Sequence, residues 1–189
     1  MGWRIHQMDV KIAFLNGVIE EEVYIDHPEG FEIFNSDSHV CRLNRALYGL
    51  KQAPCVWYNR IERYFTRLGF TKSEANANLY QIVVEGKLLI IFRYVDDLIL
   101  IGDEKLIHSC KEDLAKDFKM NNMGLLHDFL GLETWQWDGE IFVSQGKYAK
   151  EILGNFNMES CKPMDTPLLG NWRKEDATSG EVVDATVCR

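Results

Sequence analysis

A chain of 189 residues and 21.9 kDa has room for one domain, or one domain and part of another. Its 46% apolar content, with 5 Trp, 7 Tyr and 10 Phe, supplies a core, but it holds no run of about 18 apolar residues to span a membrane and no apolar leader over residues 1–7. The net charge of −8 argues against nucleic acid for the chain as a whole, and the five scattered cysteines, with no Cys-X-X-Cys, exclude a disulfide framework or a zinc ribbon. Free thiols fit a reducing compartment, so the expected location is intracellular, in cytoplasm or nucleus.

In chain order, residues 4–10 read as a strand entering the core and closing on Asp9. Residues 11–15 form a short apolar segment stopped by Asn16-Gly17. Residues 17–38 carry seven acids and no Lys or Arg, with a short strand at 23–25. Residues 40–72 then carry seven bases against one acid, enough for a local basic face. The strongest helix signal is 54–68. Apolar residues at 57, 61, 64, 65 and 68 keep the helical period, Pro54 suits the first turn and Gly69 the end. Arg60, Arg63 and Arg67 share one face of it, which reads equally as a solvated face or a phosphate-binding one.

Residues 79–84 and 88–95 read as strands around a Glu85-Gly86 turn, followed by a strand at 98–101 and a helix at 105–118. Residues 130–137 and 140–144 predict a hairpin, with Asp138-Gly139 as a type I′ turn. A short helix is expected at 147–156, and residues from 171 on are polar and expected to be loose. Hairpins mixed with helices, without a steady strand-helix alternation, predict α+β with an antiparallel sheet.

The chemistry concentrates at Tyr94-Val95-Asp96-Asp97, between the apolar runs 88–92 and 98–101. Adjacent carboxylates flanked by core are costly unless a positive charge compensates them. A divalent metal ion is the natural compensator, and two-metal sites serve phosphoryl transfer. An Asp-Asp pair is also an ordinary polar turn. A two-metal site needs a further carboxylate on a neighbouring strand. Asp9 is the candidate, although alone it reads equally as a cap.

Several blocks, in order, resemble the reverse transcriptases of Ty1/copia-type LTR retrotransposons. They are Gln7-Met8-Asp9-Val10-Lys11-Ile12-Ala13-Phe14-Leu15-Asn16-Gly17, Leu47-Tyr48-Gly49-Leu50-Lys51-Gln52-Ala53-Pro54, Tyr94-Val95-Asp96-Asp97 and Asp128-Phe129-Leu130-Gly131. Ser144-Gln145-Gly146-Lys147-Tyr148 and Lys162-Pro163-Met164-Asp165-Thr166-Pro167-Leu168 are similar to that family too.

The resemblance implies an α+β reverse-transcriptase palm, an antiparallel sheet with packed helices, over residues 1–144. The start of a thumb or connection and a loose tail would occupy 145–189. It implies RNA-directed DNA polymerisation, with Asp9, Asp96 and Asp97 holding two Mg²⁺ ions, or Mn²⁺ in their place. The implied partners are an RNA or DNA template-primer and a deoxynucleoside triphosphate, with no membrane. Phe14 matches the family's sugar gate, while from sequence alone it reads as a core aromatic. Gln52 matches a residue that touches nucleotide or template. Phe129, Leu130 and Gly131 resemble the primer grip, and Lys51, Arg60, Arg63 and Arg67 would face nucleic acid. Lys116 or Lys119 would approach the triphosphate.

The chain starts at the first palm motif, so the family's fingers are expected to be largely missing. Activity of the isolated fragment is accordingly expected to be weak or absent. The alternative is a relic or domesticated module that binds nucleic acid or protein, including a second copy through exposed palm surface. Three positions depart from the family's pattern: Cys55 where a basic residue is usual, Arg93 where an apolar one is usual, and Asp128 in place of an aromatic.

Overall fold

The computed structural model describes residues 2–31 and 39–165. The tail from 171, the Thr166-Pro167-Leu168 end of the last family-like block, and Glu32 and Asp37 of the acidic stretch lie outside the described residues. The strands are β1 (Ile5–Val10), β2 (Tyr24–Ile25), β3 (Cys41–Arg42), β4 (Thr71–Lys72), β5 (Leu79–Val84), β6 (Lys87–Tyr94), β7 (Asp97–Gly102), β8 (Met120–Leu125), β9 (Asp128–Phe129), β10 (Leu132–Trp137) and β11 (Glu140–Ser144). The helices are α1 (Ala53–Arg67), α2 (Glu104–Asp117) and α3 (Gly146–Asn155), with a 3-10 turn at Ala13–Asn16. The expected α+β class with antiparallel sheets is what forms.

The chain divides into two compact units, Met1–His127 with Trp135–Phe142, and Asp128–Thr134 with Val143–Arg189. The first is organised by a six-stranded sheet in the order β4-β5-β6-β7-β1-β8, with every neighbouring pair antiparallel. Alternation sorts its side chains. Met8, Val10, Tyr80, Leu89, Ile91, Leu98 and Leu100 are buried with Trp57, Ile61, Tyr64 and Phe65 of α1 and Ile107, Cys110 and Leu114 of α2. Burying each large apolar side chain contributes roughly 1.5–3 kcal/mol, so this single layer between sheet and helices carries most of the unit's stability.

Helix α1 follows the predicted period, with Pro54 in its first turn and Gly69, at φ 89°, closing its end. Helix α2 starts where Asp103 accepts from the backbone N–H groups of Lys105 (3.1 Å) and Leu106 (3.3 Å). Just before it, Gly102 has φ 150°, and a Cβ there would sit 2.2 Å from the Leu88 carbonyl oxygen. No other residue lets β7 pass so close to β6.

Two local expectations are corrected, and one strand is new. Strand β8 has no sequence signal, because Met-Asn-Asn-Met-Gly-Leu has neither alternation nor β-branched residues. The strand expected at 130–137 begins at Leu132. Phe129 pairs with Leu132, so Leu130 (φ 51°) and Gly131 (φ 77°) make a two-residue turn with both φ positive. At Asp138-Gly139 only Gly139 (φ 86°) is left-handed, so that turn is not type I′. Glu85-Gly86 (φ 51° and 77°), joining β5 and β6, does have that pattern.

In the second unit Lys147 of α3 pairs with Asp128 (3.0 Å) and Glu133 (3.6 Å), and its backbone N–H donates to Glu133 (2.8 Å). Asp128, the departure from the family's aromatic, thus has a partner.

Candidate active site

Strands β1 and β7 run antiparallel with Asp9 directly opposite Asp97. Tyr94 also pairs with Asp97, which leaves Val95-Asp96 as a two-residue loop between β6 and β7. The loop contains no glycine, and Val95 takes φ 54°. A β-branched residue in the left-handed region is strained and persists only where its surroundings hold it. Two bonds do so: the Trp57 indole N–H donates to the Val95 carbonyl (2.6 Å), and the Val10 N–H donates to the Asp96 carbonyl (2.9 Å). Trp57 is fully buried, so the core itself grips the turn.

Each strand carboxylate has a neutral donor. The Gln7 side-chain amide donates to Asp97 Oδ1 (2.8 Å), and the Asn121 amide to Asp9 Oδ2 (3.0 Å). Among the described residues no Lys or Arg forms an ion pair with Asp9, Asp96 or Asp97. Burial, then the negative fields of Asp96 and Asp9, hold the Asp97 carboxyl above its ordinary range, against the Gln7 bond that lowers it. Burial and the Asp96 and Asp9 charges also push the Tyr48 phenol up. Tyr48 lies against Phe14, ring centroids 4.3 Å apart, and Phe14 is buried.

Hard carboxylate oxygens, short of cationic compensation, suit Mg²⁺ or Mn²⁺. Among the described residues no group of three or more His, Cys, Asp or Glu closes into a cage for an ion. That donor set fits an ion that keeps waters and takes phosphate oxygens, since Mg²⁺ is commonly held by one or two carboxylates and its substrate.

The fold thus brings Asp9, Asp96, Asp97 and Phe14 to one end of the sheet. Gln52, half-buried, precedes α1, and Lys51 is exposed beside it. Arg60, Arg63 and Arg67 are exposed along α1. Arg60 lies over Phe118 (5.5 Å), while Arg67 lies over Tyr64 (5.2 Å) and pairs with Asp117 (3.2 Å). Phe129, Leu130 and Gly131 occupy the β9–β10 hairpin. Lys116 pairs with Asp113 (2.8 Å) at the end of α2, and the Lys119 carbonyl accepts from the Lys11 N–H (2.8 Å).

Sequence reasoning assigned no site role to Gln7, Tyr48, Trp57 or Asn121. The signal for Gln7 was its spacing, two residues before Asp9 and so on the same face. Trp57 read only as a core residue, and Asn121 had no signal once β8 was missed.

Residues 1–170 match the profile of the family described as reverse transcriptase (RNA-dependent DNA polymerase). The chain is 39% identical over 171 residues, 88% of its length, to the retrovirus-related Pol polyprotein from transposon TNT 1-94 of Nicotiana tabacum. It is 35% identical over 167 residues, again 88% of its length, to the corresponding polyprotein from transposon RE1 of Arabidopsis thaliana. Against the transposon Ty1-BR Gag-Pol polyprotein of Saccharomyces cerevisiae it is 32% identical over 181 residues, 90% of its length. The chain spans only 13%, 11% and 9% of those three polyproteins.

Proposed function

This chain belongs to the reverse transcriptase family of Ty1/copia-type retrotransposon polyproteins, and from that premise we propose that it is the palm of an RNA-directed DNA polymerase, with the start of a thumb from residue 145. The reaction is transfer of a nucleotidyl group from a deoxynucleoside triphosphate to a primer 3′-hydroxyl. The observation that carries this reading is the register of β1 against β7, which sets Asp9 opposite Asp97 while the strained Val95 turn presents Asp96 beside them.

In this reading Asp9 and Asp96 hold two divalent ions, with Asp97 completing the carboxylate group. Bound there, such ions would supply charge stabilisation to the attacking and leaving oxygens of an in-line displacement. The chain's own part is positioning, which can account for much of the rate of such a transfer. Gln7 and Asn121 fix the rotamers of Asp97 and Asp9, leaving further carboxylate lone pairs for ligands. Phe14, backed by Tyr48, sets a hard wall where a ribose 2′-hydroxyl would lie, and Gln52 contacts nucleotide or template. Phe129, Leu130 and Gly131 hold the primer end. Lys51, Arg60 and Arg63 contact phosphates, and Arg67 does so only by leaving Asp117.

The test is primer extension on an RNA template with Mg²⁺, comparing the chain with Asp96→Asn and Asp97→Asn. Weak extension by the parent, lost in the variants, is the expected result. A folded chain that binds template-primer without extending it refutes the polymerase reading and leaves a nucleic-acid-binding module.

A further inference from the structure

Behind the catalytic turn is a cavity of about 410 Å³, whose wall includes Phe14, Trp57, Tyr58, Asn78, Arg93 and Val95. Neither Asp nor Glu is among the described residues that line it. Arg93 is its single basic residue and is 8% exposed. It sits on β6 opposite Leu98, within a strand that is otherwise apolar from Leu88 to Phe92.

Its direct partners are neutral, and the Glu62 carboxylate acts on it only through its field. One terminal nitrogen donates to the Asn78 side-chain oxygen, and the guanidinium lies 4.7 Å over the Tyr58 ring. The Arg93 Nε, buried, has no hydrogen-bond partner, and among the described residues no carboxylate forms an ion pair with Arg93. A buried cation held directly by an amide and a ring, with the nearby Glu62 already paired to Lys72, is under-compensated. Burial pulls its pKa below the ordinary arginine value, outweighing the Tyr80, Tyr58 and Glu62 groups that favour the charge.

We propose that this cavity is a phosphate subsite for the bound nucleic-acid strand, with the Arg93 guanidinium as its cation. The inference rests on the polymerase reading only for the identity of the strand. Guanidinium matches phosphate oxygens in a planar, charge-assisted pair. The aromatic walls suit the sugar and base beside that phosphate, and the volume lies within the range of small-ligand sites. Val95 belongs both to the cavity wall and to the loop that carries Asp96, so the cavity adjoins the loop proposed to meet the strand. The acidic net charge of the chain makes this one buried cation more valuable to a polyanion.

A merely structural Arg93 would tie β6 to the segment before β5, where its backbone N–H already donates to the Asn78 carbonyl (2.9 Å). The two roles separate experimentally. Binding of a labelled RNA–DNA template-primer is measured by anisotropy across a salt series for the 189-residue chain, Arg93→Gln, Arg93→Met and Arg93→Lys. The subsite predicts about tenfold weaker binding for Gln and Met, sequence-independent, and a salt slope smaller by about one. Lys keeps the slope and recovers part of the affinity. Arg93→Met melts no lower than the parent, because it removes an uncompensated buried charge.

An unchanged slope in Gln and Met overturns the proposal. So does a lower Tm in Met with unchanged binding, the mark of a structural role. The Arg93 Nε resonance is followed with TpT, with its uncharged methylphosphonate analogue, and with inorganic phosphate. A shift with TpT and none with the analogue supports a backbone phosphate. A shift with inorganic phosphate but none with TpT or template-primer means a free-anion site and overturns it. Primer extension is scored separately. A chain that fails to extend yet shows the Arg93-dependent slope refutes the polymerase reading and keeps the subsite.

Discussion

Trp57→Phe tests whether the core aims the Val95-Asp96 turn. Trp57 is fully buried, and its indole N–H donates to the Val95 carbonyl at 2.6 Å. Phenylalanine loses that bond, worth about 1 kcal/mol net. It also removes three ring atoms from a packed site, roughly 2–3 kcal/mol at the usual cost of core truncation. The sum, about 3–4 kcal/mol, is a large share of a stability of about 5–15 kcal/mol. It corresponds to a fall in Tm of roughly 6–16 °C. Val95→Gly is the counterpart. It releases the left-handed strain of about 1–2 kcal/mol and costs about 0.5–1 kcal/mol in backbone entropy, so it gains about 0–1.5 kcal/mol. The two variants therefore move stability in opposite directions. Both free the turn that carries Asp96, and a misplacement of about 1 Å costs on the order of a hundredfold in rate. Urea melts and single-turnover primer extension read the two effects. Trp57→Phe with full extension, or Val95→Gly that destabilises the chain, would refute the argument that core and strain together hold the site.

The folded Asp97 carboxyl titrates above its ordinary value of 3.8, so the folded chain binds that proton more readily than the unfolded one. Its stabilising contribution is complete below 3.8 and is lost as pH rises through the folded pKa. Asp97→Asn is therefore more stable than the parent at about pH 7 and converges with it near about pH 3, measured by urea unfolding at both. Mg²⁺ at ten times its Kd raises the parent's stability by about 1.4 kcal/mol. The gain is absent in Asp9→Asn and Asp96→Asn when thermal melts are run at matched ionic strength. Arg63→Gln reduces the salt dependence of template-primer binding more than Arg67→Gln does, because Arg67 already pairs with Asp117. Neither changes stability by more than about 0.5 kcal/mol, since both side chains are exposed.

The long elements were legible because each carries one dominant period. Helix α1 matches the expected 54–68 within a residue, and β5 occupies the expected 79–84, because burial on one face leaves few alternatives. Strand β8 was hidden because its pairing is decided by β1 rather than by its own residues. The turn with two positive φ values falls at 130–131, where a strand was expected, and not at 138–139. Gly supplies one positive φ in either case, and the dipeptide alone does not say whether its first residue follows. At the site, Asp9, Asp96 and Asp97 were legible as residues, but their facing register was not. It depends on how β1 enters the sheet from the N-terminal end of the chain, a long-range choice with no local signal.

The positions where this sequence breaks its own local rules differ in whether something answers them. Asp128 replaces an aromatic, and Lys147 answers it with an ion pair inside the same unit, so it needs no ligand. Val95 breaks the turn rule, and the Trp57 and Val10 bonds answer it within the fold, leaving Asp96 aimed. Arg93, two residues earlier at the end of β6, is answered directly by an amide and an aromatic ring, with the Glu62 carboxylate acting only through its field. A buried charge left short of an anion costs stability without supplying order that Leu or Met would not also supply. Local inconsistency of that kind is expected where function outweighs stability. Arg93 and Val95 share one cavity wall, so the strained turn and the charge short of an ion pair meet at the subsite proposed above.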